Sequence, residues 1–193
     1  MEYEIKLAVP QPELLTEILQ NELIQETMME SVREIPMETT YYDAADGSLG
    51  AKKWTLRRRM EGGTPVVTLK TPAEQKNYRN EWETEGTDVL QAVPDLIALG
   101  APETLRKVQN VVPVCGAKFL RKAVLLQLEG CQAELALDAG ILFRGERQTG
   151  LCELELELKD GKPDAMLRLG AYLKQRYGLQ TEEKSKFWRA RNL

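Results

Sequence analysis

The chain has 193 residues, 42% of them apolar, which is enough to bury one sizeable core, and a single domain over 1–193 is expected. A formal charge of −4 argues against a nucleic-acid partner, because nucleic-acid-binding domains are usually basic. The sequence contains no histidine, so a metal would have to be held by carboxylates, and proton transfer would fall to Asp, Glu, Lys, Tyr, Cys or water.

Glu2-Tyr3-Glu4-Ile5-Lys6 reads as a first strand, with Glu2, Glu4 and Lys6 on one face and Tyr3, Ile5 and Leu7 on the other. Pro10 and Pro12 end it. Leu14, Leu15, Ile18, Leu19 and Leu23 recur at helical spacing and predict an amphipathic helix over 13–24. A strand is predicted over 29–35, and Thr39 to Asp43 forms a β-rich segment closed by the turn residues Asp46-Gly47. Strands over 54–60 and 65–70 flank Glu61-Gly62-Gly63-Thr64, a hairpin signal.

Arg79 to Glu85 alternates as another strand. A helical pattern over 88–99 contains Pro94, which is expected to kink or split it. Strands are predicted over 111–114, 117–128 and 131–138, and the clearest one over 152–159. Pro163 then opens a helix that Gly178 stops, and a strongly charged tail contains Lys184-Ser185-Lys186. The pattern predicts one α+β domain dominated by antiparallel strands.

Cys115, Cys131 and Cys152 are an odd number without Cys-x-x-Cys spacing. The acidic N-terminus lacks the apolar core of an export signal, and no apolar run approaches the ~18 residues of a membrane span. The expectation is a cytoplasmic protein with reduced thiols and no membrane partner.

Any one charged strand face reads as the watered side of an antiparallel sheet. Together they read differently. Glu153, Glu155 and Glu157 share a face, as do Arg57 and Arg59, and like charges stacked along a strand repel unless opposite charges offset them. A closed barrel with acids on one interior wall and bases on another would answer both. Acids hold hard divalent cations through oxygen, arginines grip phosphate oxygens in bidentate fashion, and a polyanion bridged to the acids by metal neutralises the whole.

The start Glu2-x-Glu4-x-Lys6 resembles the signature of the CYTH superfamily, the triphosphate tunnel metalloenzymes. Tyr42-Asp43, Leu56-Arg57-Arg58-Arg59, Thr68-Leu69-Lys70, Arg79-x-Glu81, Leu137-Asp138, Glu153-Leu-Glu155-Leu-Glu157 and Lys184-Ser185-Lys186 resemble family blocks in family order, from residue 2 to about residue 186. The resemblance implies a closed eight-stranded antiparallel β-barrel, the triphosphate tunnel, with flanking helices, and chemistry dependent on Mg²⁺ or Mn²⁺. By position it implies Glu2, Glu4, Glu153, Glu155 and Asp138 as metal ligands. It implies Arg57, Arg59, Lys70, Arg121 and Lys184 as phosphate-binding residues, and Glu4, Lys6, Glu81 and Glu157 as catalytic ones. Glu157 could instead be a ligand. Lys186 and Glu83 compete for the same roles as neighbours of equal parity.

The expected activity is metal-dependent hydrolysis of inorganic tripolyphosphate or a related triphosphate. The same resemblance covers a class IV adenylate cyclase, in which the ribose 3′-hydroxyl attacks and pyrophosphate leaves, and thiamine triphosphatase. A non-catalytic polyphosphate-binding module is the reading of another class. Trp54 has the opposite parity from Arg57 and Arg59 and is expected to pack outside the barrel. The partner is a triphosphate-containing small molecule, and a homodimer is allowed.

Overall fold

The structure is a computed structural model, and it describes residues 2–75 and 78–193. Its centre is a closed barrel of eight antiparallel strands. In chain order these are β1 (Glu2–Ala8), β2 (Arg33–Ala44), β3 (Thr55–Glu61), β4 (Thr64–Pro72), β5 (Tyr78–Glu85), β6 (Val111–Leu128), β7 (Cys131–Arg144) and β8 (Arg147–Gly161). They run round the barrel as β1-β5-β4-β3-β2-β6-β7-β8 and return to β1. The closure between β1 and β5 is short, with Glu2 opposite Arg79 and Tyr3 opposite Tyr78. A ninth strand, β9 (Gln180–Thr181), extends the sheet beside the other end of β1.

Alternation of side chains along each strand divides the molecule into lumen and exterior. Leu154 and Leu156 of β8 point outward, are fully buried, and pack with Leu7, Leu135 and Leu137 beneath three helices. These are α1 (Pro12–Leu19), α2 (Glu22–Thr27) and α5 (Asp164–Tyr177). Burying one such leucine contributes roughly 2–3 kcal/mol, so this cluster fixes the register of β8 and with it the inward direction of Glu153, Glu155 and Glu157. A second outer cluster sets Leu56, Val67 and Leu69 against α3 (Ser48–Ala51), α4 (Val93–Ala98) and a 3₁₀ turn (Glu103–Lys107), with Trp54 and Trp82 at its edge.

A third cluster lies inside. Tyr41, Ala117, Phe119, Leu142 and Leu151 have lumen parity, and they pack against Phe187 and Ala190 of the last helix, α6 (Lys186–Arg191). That helix fills one end of the barrel with apolar side chains. Along β8 the side-chain exposure rises away from it, from 0% at Glu153 to 13% at Glu155 and 27% at Glu157. The lumen is therefore closed at one end and opens towards the other.

Several predicted elements differ from those observed. The helix expected over 13–24 is two helices, because Asn21 caps the second one by accepting the Leu23 N–H at 3.1 Å. Pro94 does not kink a helix over 88–99; it opens the short α4, where its missing N–H is no loss. The strand expected over 29–35 begins at Arg33 and runs on through the β-rich segment. The strands expected over 111–114 and 117–128 are one strand with a register shift opposite Tyr41 and Tyr42, where Pro113 is tolerated. β7 and β8 each continue beyond their predicted ends into a long hairpin that turns at Gly145, φ 57°. Gly178, φ 65°, stops α5 as expected.

Candidate functional site in the barrel lumen

Three strands converge on the most buried charges of the lumen. The β6–β7 register places Arg121 opposite Asp138, and the β7–β8 register places Asp138 opposite Glu153. The Arg121 guanidinium donates from Nε and Nη2 to the two oxygens of Asp138, both at 2.8 Å, and from Nη2 to Glu155 at 2.5 Å. Asp138 and Glu153 are completely buried. Their ligand oxygens and that of Glu155 all lie within 4.8 Å of one another, a carboxylate trio of the kind that holds a hard cation.

Lys186, the first residue of α6, enters this trio. Its Nζ lies 2.7 Å from Asp138 and 2.8 Å from Glu155, and it also pairs with Glu153. Arg189, one turn along α6, pairs with Glu153 and lies 3.5 Å from Glu182. Ser185 caps α6 by accepting the Trp188 N–H at 3.1 Å, which sets the direction in which Lys186 leaves the helix. Burial opposes the charge of every member; the ion pairs overcome it at Glu155 and Asp138 but not at Glu153. Lys186, Arg121 and Lys6 outweigh burial and hold Glu155 well below its ordinary value; Lys186 and Arg121 do the same for Asp138. Burial, reinforced by Glu155, raises Glu153.

A second group spans the β1–β5–β4 wall. The Lys70 ammonium donates to both Glu2 oxygens, at 2.7 and 2.6 Å, and lies 3.1 Å from Glu81. Glu81 lies 3.6 Å from Arg57. Lys6 donates to Glu4 at 2.6 Å. Glu4 and Glu157 are direct cross-strand partners, and two facing acids repel. Lys6 offsets this from one side and Lys159, 2.9 Å from Glu157, from the other. Burial, and then the nearby Glu2, raises Glu157 from its ordinary value although Lys159 opposes the shift.

The arginines of β3 are less fully matched. Arg57 Nε is buried and has no hydrogen-bond partner among the described residues. Arg59 donates to the Thr39 hydroxyl at 3.0 Å, and its nearest acid, Glu61, is 3.4 Å away. Burial, with Arg57 and Arg121 close by, lowers Arg59 from its ordinary value. Two buried guanidiniums side by side, one with an idle N–H, make a seat for an anion.

The residues expected from the sequence mostly meet in this lumen. Asp138, Glu153, Glu155 and Arg121 form its centre, and Glu2, Glu4, Lys6, Arg57, Arg59, Lys70, Glu81 and Glu157 lie along the walls. Glu2 and Glu4 do not join the carboxylate trio, because Lys70 and Lys6 hold them elsewhere. Lys184 is not brought to the cluster: it is exposed, with its Nζ 4.1 Å above the Trp188 ring. Lys186 stands in the cluster instead. Glu83 is exposed and accepts the Thr68 hydroxyl at 3.3 Å. Arg189 was not anticipated. Strand parity cannot distinguish Lys184 from Lys186 once the segment turns helical, and the usable signal was Ser185 as an N-cap.

The fold and site can be set beside known proteins. The profile described as CYTH domain matches residues 1–190. An inorganic triphosphatase of Haemophilus influenzae is 27% identical over 176 residues, 83% of this chain and 46% of that protein. The chain thus spans about half the length of that relative. Among solved structures, a Hippeastrum protein described as an adenylyl cyclase candidate with a dominant triphosphatase activity superposes with a TM-score of 0.66 at 20% identity, over 100% of this chain and 96% of its own. A Pyrococcus horikoshii protein does so with a TM-score of 0.62 at 20% identity, over 98% and 97%. At these identities the two structures establish the fold alone. No helix among the described residues is long and apolar enough to cross a membrane.

Proposed function

The chain belongs to the CYTH domain family, and from that premise we propose that it is a metal-dependent triphosphatase. It releases phosphate from inorganic tripolyphosphate or a related triphosphate inside the barrel, and its cofactor is Mg²⁺ or Mn²⁺. The observation that carries this reading is the pairing of an acidic trio with an under-neutralised basic wall in one lumen. Asp138, Glu153 and Glu155 offer oxygen to a divalent cation, while Arg57 and Arg59 offer buried N–H groups to an anion. The Haemophilus relative, an inorganic triphosphatase, supports the same reading.

The residues suit a triphosphate in distinct ways. Arg57 and Arg59 would grip phosphate oxygens with planar, permanently charged forks, and Arg121, Lys70 and Lys186 would add positive charge along the same lumen. A bound divalent cation neutralises charge on the phosphate and lowers the pKa of a coordinated water. Glu4 and Glu157 face each other on adjacent strands, and the Glu157 carboxyl, raised from its ordinary value by burial, suits a group that would orient an attacking water or take its proton. Positioning and charge stabilisation supply the rate, as in phosphoryl transfer generally.

The lumen favours an inorganic chain over a nucleotide or thiamine ester. Tyr41 and Phe119, its aromatic residues at the closed end, are buried in packing around α6, and Trp54 and Trp82 lie in the outer cluster. The test is phosphate release from tripolyphosphate, ATP and thiamine triphosphate, each with Mg²⁺, with Mn²⁺ and with EDTA. Metal-dependent release with tripolyphosphate preferred is expected. Cyclic AMP and pyrophosphate from ATP would replace this reading with a cyclase, and tight binding without turnover would replace it with a binding module.

A further inference from the structure

Lys186 Nζ sits among the three carboxylates best arranged for a hard cation. It is 2.7 Å from Asp138 and 2.8 Å from Glu155 and pairs with Glu153, and the trio's ligand oxygens span no more than 4.8 Å. That span accommodates one ion, so an ammonium and a divalent cation cannot occupy it together. The charges around it are also balanced. Asp138, Glu153 and Glu155 bring three negative charges, and Lys186, Arg121 and Arg189 bring three positive ones in direct contact. Two further positive charges placed beside these cations would meet weakly screened repulsion, because the trio lies away from water.

Lys186 itself can leave only towards another anion. It is 6% exposed, and a buried ammonium stripped of its partners is strongly unfavourable. Phe187, Ala190 and the Arg191–Asp43 pair at 2.7 Å anchor the rest of α6, so the movement belongs to the flexible Lys186 side chain and not to the helix. The anion seat at Arg57 and Arg59 belongs to the same lumen: Arg59 and Lys186 both lie against the Phe119 ring, at 5.9 and 5.2 Å from its centre.

We infer that Lys186 is a built-in counter-ion that competes with the divalent metal for Asp138, Glu153 and Glu155, and that a triphosphate in the lumen draws it away. Metal and triphosphate then bind as a coupled pair, each raising the affinity of the other by the same factor. This rests on the metal-dependent triphosphatase reading above and adds an order to it: the metal is held weakly until the polyanion is present.

The test is Mn²⁺ retention by the full chain in equilibrium dialysis, with and without diimidotriphosphate, a triphosphate analogue that resists hydrolysis. Analogue and free metal equalise across the membrane, so only metal held with the protein is in excess. Wild type should hold Mn²⁺ at least tenfold more tightly with the analogue. Lys186→Met and Lys186→Gln should hold Mn²⁺ alone at least tenfold more tightly than wild type and lose most of the coupling. Lys186→Arg keeps the charge and should stay within threefold of wild type. Equal wild-type affinity with and without the analogue would overturn the inference. So would unchanged affinity in folded Met and Gln variants, or a gain in the Arg variant as large as theirs. Phosphate release from tripolyphosphate, measured separately, keeps the two readings apart. Coupling without hydrolysis would sink the triphosphatase, and hydrolysis without coupling would sink the counter-ion.

Discussion

Lys186 Nζ lies 2.7 Å from Asp138 Oδ2, joining the last helix of the chain to the middle of the barrel wall. Asp138 also accepts two hydrogen bonds from Arg121, so a single carboxylate ties α6, β6 and β7 together. Replacing it leaves two buried cations short of a partner. Asp138→Asn should lower stability by roughly 3–5 kcal/mol, the usual cost of breaking a buried pair from one side. Urea unfolding followed by circular dichroism would measure it, and a change under 1 kcal/mol would contradict the assigned pairing.

Arg57→Ala and Glu4→Ala should each reduce tripolyphosphate hydrolysis by about a hundred- to a thousand-fold, the effect of removing one charge-stabilising contact, ~3–4 kcal/mol of barrier. The fold should survive, since the outer clusters that set β1 and β3 are untouched. Wild-type turnover in either purified variant would remove that residue from the proposed machinery.

Acid should loosen the closed end of the barrel. The folded-state values of Glu155 and Asp138 are depressed by Lys186 and Arg121 against the opposing effect of burial. Depressed carboxyls stabilise the fold above their unfolded values and lose that contribution as pH falls through the folded ones. Glu153, raised by burial, acts in the opposite sense over its own range. The melting temperature should therefore drop steeply below about pH 4, the ordinary carboxylate range, and Glu155→Gln should flatten that limb. An equally steep limb in the variant would show that Glu155 does not govern it.

Cys115 should be inert while the protein is folded. It is buried against α6, and burial pushes its thiol up to about 12 in spite of Arg191 and Arg144 nearby. At pH 8 almost no thiolate is present to react. Iodoacetamide should modify Cys115 only after urea unfolding, as read by peptide mass spectrometry; fast labelling of the native protein would mean that α6 opens readily.

Asp43 anchors the far end of α6. Its carboxylate accepts the N–H groups of Leu49 and Gly50, both at 3.1 Å, and pairs with Arg191 at 2.7 Å. Asp43→Ala should cost about 2 kcal/mol or more, because buried N–H groups lose their acceptor. It should also speed tryptic cleavage at Arg189 and Arg191. Unchanged cleavage would mean that the packing of Phe187 and Ala190 holds the helix without the ion pair.

The inward direction of the acids on β1 and β8 was legible in the sequence, because alternation is local: Leu154 and Leu156 declare the outer face, and Glu153, Glu155 and Glu157 must then take the other. The same rule placed Arg57 and Arg59 inside and Trp54 outside. It gave the wrong length wherever alternation faded, as between Ala139 and Leu151, where glycines and small apolar residues continue a hairpin that only cross-strand pairing maintains. It also could not rank Lys184 against Lys186. In an extended tail both share a face; on a helix capped by Ser185 only Lys186 turns inward.

By itself, then, the sequence determined a strand-rich α+β chain with charged lumen faces, carboxylates as the available metal donors, and Glu2, Glu4, Lys6, Arg57, Arg59, Lys70, Arg121, Asp138 and the β8 acids as the residues to watch. Tertiary structure alone decided which charges touch. Barrel closure set the register that puts Arg121 on Asp138, and the insertion of α6 brought Lys186 and Arg189 to acids more than thirty positions away in the chain. The physical reason is range. The face a side chain takes is fixed by its neighbours along a strand, whereas a buried ion pair is chosen by whichever opposite charge the packed fold leaves within reach.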